Sequence, residues 1–287
     1  MVTHKLKMSL LGHIRFFIEI NLRYLLSFLN FKKRYILIRD WNRLKSFKRK
    51  DRVVVIAGGP SFSKEIAKFL IQKRHIFDIA CINSYDQSSY SEELVPDYYF
   101  LSDPLNTKLN YETEEEKEND ISRSRSVKKY ILQKKIKLIA PYNKLWNSYT
   151  NVFCRFDDSE NIFTKNIDPR FPRGYPSNTA FKAIAGMLFL NYKEIYIVGF
   201  DYNYPNLIRV DNQNRLFHYD EHHYGEAKKI FPEDFEGIAH ALRHWADDYW
   251  YLKKLKSNNV TNVTNSSFVD VFDKEEVEDF IARFENK

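Results

Sequence analysis

The chain has 287 residues, 44 % of them hydrophobic and 29 % charged, a globular balance that excludes a disordered protein and suits one large α/β domain, or one domain plus an appendage. The formal net charge of +7 is uneven: residues 1–52 are rich in Lys and Arg and the remainder is nearly balanced, so no nucleic-acid groove or nucleic-acid partner is expected. The two cysteines, Cys81 and Cys154, form no CxxC pair, which argues against a disulfide framework or a Cys-rich zinc site and fits a reducing compartment.

Residues 1–50 form a separate compositional unit, predicted to be a basic amphipathic helical arm. Leu10, Leu11, Ile14, Phe17, Ile18, Leu22 and Leu25 recur near helical spacing. Such a stripe can lie in the interface of an anionic membrane, or pack on the body or on a second subunit of a homo-oligomer. Residues 9–38 come nearest to a membrane span, but His13, Arg15, Glu19, Arg23 and Lys32 to Arg34 interrupt the roughly 18 apolar residues that a span needs. No small-residue cleavage site follows. The expected location is therefore cytoplasmic, either free or peripheral on the inner face of the membrane through residues 9–38.

From residue 51 to 287 the pattern reads as one Rossmann-like domain. Val53 to Ala57 is a β-branched run without polar alternation, the signature of a strand buried on both faces. Gly58, Gly59, Pro60 and Ser61 end it, and helical spacing resumes from Lys64 to Lys73. Further strands are predicted at 77–83, 97–103, 136–140, 194–201 and, last, 260–263. Helices are predicted at 177–191, 235–255 and 273–285, and the strongly charged stretch 112–129 reads as a solvated helix or an excursion. Residues 145–172 show no pattern, and 203–235 read as one long polar, aromatic, lid-like loop. Strands alternating with helices imply a parallel sheet flanked by helices, with ligands at the carboxyl ends of the strands. Those ends carry Gly58, Gly59 and Ser61, then Asn83, then Ser102 and Asp103, then Gly199 and Asp201.

Gly58 to Ser61 would let a backbone approach a phosphate and opens a helix whose free N–H groups attract anions. An ordinary strand-to-helix turn reads the same way. Ser177, Asn178 and Thr179 precede an apolar helix, where capping and phosphate binding are compatible roles. The segment His218 to Gly225 packs three of the eight His, two Tyr and two acids into eight positions. An imidazole there could act as general base, and a Tyr hydroxyl could stabilise a departing phosphate. The segment lacks a helical HxxxH or HExxH spacing, so no metal site is expected. His240 and His244 are read as structural, and Asp201 as either a ligand-binding or a turn residue.

Taken together, Val-Ile-Ala-Gly-Gly-Pro-Ser61, Cys81-Ile-Asn83, Ser177-Asn-Thr179 with the helix leading to Tyr192-Lys-Glu-Ile-Tyr-Ile-Val-Gly-Phe-Asp-Tyr202, and Asn265-Ser-Ser267 resemble the Campylobacter-type bacterial sialyltransferases of glycosyltransferase family 42. The likeness spans roughly residues 51–270, is patchy between 104 and 170, and is shared with flagellin-modifying transferases and pterin pyrophosphokinase-like domains. It implies inverting, metal-independent transfer of an acidic sugar from a CMP-sugar donor to a surface glycan acceptor, with no further cofactor. It also implies that Gly59, Pro60 and Ser61 face the CMP, that Asn83 and Thr179 hold the donor, and that the base lies in a His-Tyr-x-Gly-His pattern. Here His222-His223-Tyr224-Gly225-Glu226 stands at that place, with Glu226 where the family has its final His. His223 is the first choice of base and His222 the second; Tyr224, Tyr202 or Tyr219 would serve the leaving phosphate. Asp103 replaces the family's Asn, which points to a different donor sugar such as Kdo. A magnesium-dependent pyrophosphokinase using Asp103 and Asp201, or a non-catalytic partner-binding protein, are the rival readings.

Overall fold

In the computed structural model, the described residues are 29–102, 114–142, 152–157, 167–172, 178–220, 222–223, 228–230 and 255–285, together with Ile18, Leu22, Leu25, Leu26, Ile238, Ala239, Leu242, Leu252 and Lys253. Eight strands form one wholly parallel sheet: β1 (Arg52–Ile56), β2 (Phe77–Ile82), β3 (Tyr98–Phe100), β4 (Lys137–Pro141), β5 (Cys154–Phe156), β6 (Glu194–Val198), β10 (Val260–Val263) and β11 (Asp273–Glu275). Their order is β11-β10-β6-β1-β2-β3-β4-β5. The chain thus winds outward from β1 in one direction through β5, then crosses back to β6 on the other side of β1. β1 and β6 flank the switch point, where a crevice opens at the carboxyl edge. This is the α/β, Rossmann-like architecture expected from the strand–helix alternation.

The β-branched runs lack alternation because helices cover both faces. Val53, Val55, Ile195 and Ile197 face one core layer with α1 (Phe31–Lys45) and α4 (Thr179–Phe189). Val54, Ile56, Tyr196 and Val198 face the other, with α2 (Lys64–Gln72), α3 (Glu114–Gln133) and α5 (Val277–Glu285). Cys81 and Cys154 are buried free thiols, and burial pushes both up from their ordinary value.

α1 is part of this body, so the compositional break near residue 50 is not a break in packing. Asn30 caps it by accepting from the Lys33 N–H at 3.0 Å. Leu37, Trp41 and Leu44 are fully buried, and the Trp41 indole N–H donates to the Arg155 carbonyl at 2.7 Å beside β5. Buried Asp40 pairs with Arg155 at 3.1 Å, and buried Asp157 pairs with Lys33 at 2.6 Å and with Arg34. The opposite face stays apolar and open: Phe31 is 81 % exposed and Tyr35 68 %. Ile18, Leu22, Leu25, Leu26 and Leu29 are exposed as well. Among the described residues no helix is long and apolar enough to cross a membrane.

Three elements differ from the sequence reading. β5 lies in the stretch that showed no pattern, because three residues are too short to display a period. β11 follows the strand expected to be last and takes the first residues assigned to the terminal helix, which starts at Val277. The long polar loop contains a three-stranded antiparallel sheet of β7 (Ile208–Val210), β8 (Leu216–Asp220) and β9 (Lys228–Ile230). Its first turn is built by Asp211, whose carboxylate accepts from the N–H groups of Gln213 at 3.0 Å and Arg215 at 2.8 Å, with Asn214 in the left-handed region (φ 59°). His240 and His244 lie outside the described residues.

Candidate functional site

The carboxyl ends of β1 and β6 are locked together by their backbones. The Ala57 N–H donates to the Val198 carbonyl and the Gly59 N–H to the Gly199 carbonyl, each at 2.8 Å. Gly199 is left-handed (φ 69°), and Asp201, two residues on, returns to the glycine loop. One carboxylate oxygen of Asp201, Oδ2, accepts from the Ser61 N–H at 3.0 Å. The approach explains Gly59: a Cβ there would lie 2.2 Å from Asp201 Oδ2 and 2.6 Å from the Gly199 carbonyl. Gly59→Ala is expected to lower stability by about 1–3 kcal/mol, since one neighbour is backbone and the other holds the Ser61 N–H. The urea midpoint measures this, and an unchanged midpoint would mean that the loop relaxes freely.

The other carboxylate oxygen of Asp201 is buried without a hydrogen-bond partner. Burial pushes this carboxyl up from its ordinary value, against hydrogen bonding from Ser61. A phosphate at the loop cannot use the Ser61 N–H while Asp201 holds it. It must either meet a protonated Asp201 or reach other donors.

Above the locked strand ends lies a hollow of about 250 Å³. Its floor is Gly58, Gly59, Pro60, Gly199 and Asp201. Asn178 and Ala180, at the start of α4, close one side, and Tyr202, Tyr204, His218, Tyr219 and His222 close the other. Asn178 is the helix cap, accepting from the Ala180 N–H at 2.9 Å, and it brings the positive end of α4 to the hollow. Tyr202 is held in the left-handed region (φ 50°) and packs its ring on Phe200 and Phe181. A non-glycine residue in that conformation at a strand edge is a stored strain of the kind that clusters at binding sites. Residues 267–268 brace the floor from behind: the Ser267 hydroxyl donates to the Phe200 carbonyl at 2.8 Å and the Phe268 N–H to the Asp201 carbonyl at 3.1 Å.

The two adjacent histidines are divided by this geometry. His222 lines the hollow, and its Nδ1 lies 3.2 Å from the Gly58 carbonyl. A carbonyl only accepts, so in the neutral ring Nδ1 carries the proton and Nε2 keeps its lone pair. His223 is not among the residues that line the hollow, yet its Nδ1 also lies 3.2 Å from the Gly58 carbonyl. Its backbone N–H donates to the Gly58 carbonyl at 3.2 Å, and its ring meets Phe62 edge-on at 5.0 Å and Tyr85 at 6.2 Å. Burial pushes the His223 imidazole down to about 4; the Gly58 carbonyl opposes this and neighbouring His222 adds to it. His218 packs against Tyr204 at 5.1 Å, and its Nδ1 is buried without a partner.

Gly58, Gly59, Pro60, Asn178, Gly199, Asp201, Tyr202 and His222 therefore come together. Ser61 joins them through Asp201. Thr179 is buried at 4 % exposure as the first residue of α4 and is not among the residues that line the hollow. Asn83 and Ser102 end β2 and β3 beside it, and each keeps one buried side-chain oxygen, Asn83 Oδ1 and Ser102 Oγ, without a hydrogen-bond partner. Asn83 is left-handed (φ 43°), and the Tyr99 hydroxyl donates to its carbonyl. Asp103, Ser177 and Tyr224 lie outside the described residues. Tyr204 was not singled out from sequence; the aromatic doublet Tyr202–Tyr204 right after a Gly-Phe-Asp strand end is the signal that marks it. Among the described residues no group of three or more His, Cys, Asp or Glu side chains could hold a metal ion.

No protein-family model matches the chain, and no curated protein matches it. The family 42 resemblance thus has no counterpart in a family match. Among solved structures the chain is similar to the MAf glycosyltransferase from Magnetospirillum magneticum AMB-1, at a TM-score of 0.46 and 11 % identity. That match covers 86 % of this chain and 38 % of the other, so the chain spans well under half the length of that protein.

Proposed function

We propose that the chain is a glycosyltransferase that moves an acidic sugar from a CMP-sugar donor to a hydroxyl of a glycan acceptor, with inversion. The observation that carries this reading is the hollow at the β1/β6 switch point. There a glycine-rich loop, a helix N-terminus, three tyrosines and an imidazole with a directed lone pair converge. The identity of the base as cytidine rests on the sequence resemblance alone.

In this mechanism the acceptor oxygen attacks the anomeric carbon while the bond to the phosphate oxygen breaks, through a transition state with oxocarbenium character. His222 Nε2 takes the acceptor proton. His223, the first choice from sequence, does not line the hollow and burial makes it a weaker base, so its role here is to hold the loop against Phe62 and Tyr85. Charge develops on the departing CMP phosphate. The start of α4 and the hydroxyls of Tyr202, Tyr204 and Tyr219 stabilise it. The exposed apolar side chains of Ile18, Leu22, Leu25, Leu26, Leu29, Phe31, Tyr35 and Ile38, in this basic stretch of the sequence, would hold the enzyme at an anionic membrane surface.

One observation favours a second reading, magnesium-dependent pyrophosphoryl transfer. The partnerless oxygen of Asp201 next to a phosphate-type loop is where a bridging cation would be useful. A thermal-shift screen of nucleotides with and without magnesium separates the two. CMP or a CMP-sugar at a hundred times its dissociation constant should stabilise the protein by about 2.7 kcal/mol without metal. Stabilisation only by nucleoside triphosphates with magnesium would support the second reading, and no response to any nucleotide would reject both.

A further inference from the structure

At the amino edge of the sheet, the end away from the hollow, the segments entering β1 to β4 enclose a second cavity of about 310 Å³. Five bases line it, Arg49, Arg74, Lys134, Lys135 and Lys137, against two acids, Glu93 and Asp97. Its wall is a built structure. Asp78, 1 % exposed, accepts from the backbone N–H groups of Arg49 at 3.2 Å and Lys50 at 3.3 Å, and from the Tyr192 hydroxyl at 2.7 Å. Asp97 accepts from Arg74 at 2.6 Å and from the Ile79 N–H at 2.8 Å. Arg74 also donates to the carbonyls of Phe77 and Val95, so its guanidinium is spent on the scaffold. Lys134 pairs outward with Glu92 at 2.6 Å.

Three cations are then left over. Among the described residues no carboxylate lies at ion-pair distance from Arg49, Lys135 or Lys137. The Lys137 ammonium lies over the Phe47 ring at 5.2 Å, and its backbone N–H donates to the Asp97 carbonyl at 3.1 Å. Burial pushes its ammonium below the ordinary value; Asp97 opposes this, and Arg49 adds to it. Lys50, at the back of the wall, is lowered by burial and by Arg74. Like charges held this close favour whatever anion enters between them.

We propose that this cavity is a second ligand site, taking a phosphate-bearing anion held by Arg49, Lys135 and Lys137. The chemistry is that of a phosphate oxyanion, supplied either by a free phosphate compound or by a phospholipid headgroup. The site is separate from the hollow and does not depend on the transferase reading.

The test uses the full chain and two probes. Pyrophosphate is titrated calorimetrically, and vesicles of phosphatidylcholine with or without phosphatidic acid are co-sedimented. The variants are Arg49→Gln, Lys135→Asn and Lys137→Gln; Asn is chosen because residue 135 is left-handed (φ 56°) and Asn tolerates that conformation. Each removed cation should weaken binding by about tenfold or more, while His222→Ala should leave it unchanged. Binding of pyrophosphate with no preference for the acidic vesicles identifies a free phosphate as the ligand. Binding to acidic vesicles that pyrophosphate displaces identifies a headgroup. Wild-type protein that binds neither probe, or variants that bind as the wild type does, overturn the proposal. Arg49 is exposed, so its single variant reports even if the Lys137 variant folds poorly.

Discussion

Trp41→Ala is expected to destabilise the protein by about 3–5 kcal/mol, the range for deleting a large aromatic from a packed core. The indole is completely buried, donates its N–H to the Arg155 carbonyl at 2.7 Å, and meets Phe189 of α4 edge-on at 5.3 Å. It lies so close to α4 that a Cβ on Gly186 would sit 3.0 Å from its ring. Truncation would empty that space and leave the Arg155 carbonyl without its donor. A urea titration measures the loss. Phe31→Ala serves as the reference, since Phe31 is 81 % exposed on the same helix and should change stability by no more than about 0.5 kcal/mol. If the two variants unfold at the same urea concentration, α1 is an appendage and not part of the cooperative unit.

His222→Ala is expected to cut transferase turnover by about 10²–10⁴-fold, the usual contribution of a positioned base. Its thermal midpoint should stay near that of the wild type, because the ring lines the hollow and is not among the buried core residues. His223→Ala should behave in the opposite way. That ring fills the space between Phe62 and Tyr85 and steadies the Gly58 loop, so its removal should lower the midpoint. Comparing both variants for turnover and melting assigns the roles. Full turnover in His222→Ala, with loss confined to a well-folded His223→Ala, would return the base to His223 and require the segment to turn over when donor binds.

The carboxyl edge of the sheet was legible in the sequence because its signals are local. The run Val53 to Ala57 ends at Gly58-Gly59, the strand 194–198 ends before Gly199 and Asp201, and Asn178 begins a helix. Each is a change of periodicity or a breaker within a few residues. β5, β7, β8, β9 and β11 were not legible, since none carries the unbroken apolar run that marks the predicted strands and each draws its identity from its neighbour in the sheet. The assignment of the base to His223 followed a motif, and a motif carries no direction. His222 and His223 both reach the Gly58 carbonyl, and only the lining of the hollow tells the two rings apart.

The sequence by itself determined that the chain is a doubly covered parallel sheet with glycine, serine, asparagine and aspartate gathered at its strand ends, because burial on both faces and chain breaking are properties of a residue and its near neighbours. The tertiary structure alone decided three things. It placed β6 against β1 and so opened the crevice; it packed Trp41 of the basic N-terminal stretch into the core; and it drew Arg49, Arg74 and residues 134–137 into one cavity at the far edge. All three depend on strand order. Parallel neighbours are joined by long crossovers, so the residues that meet at a sheet edge are far apart in the chain, and no local pattern records their meeting.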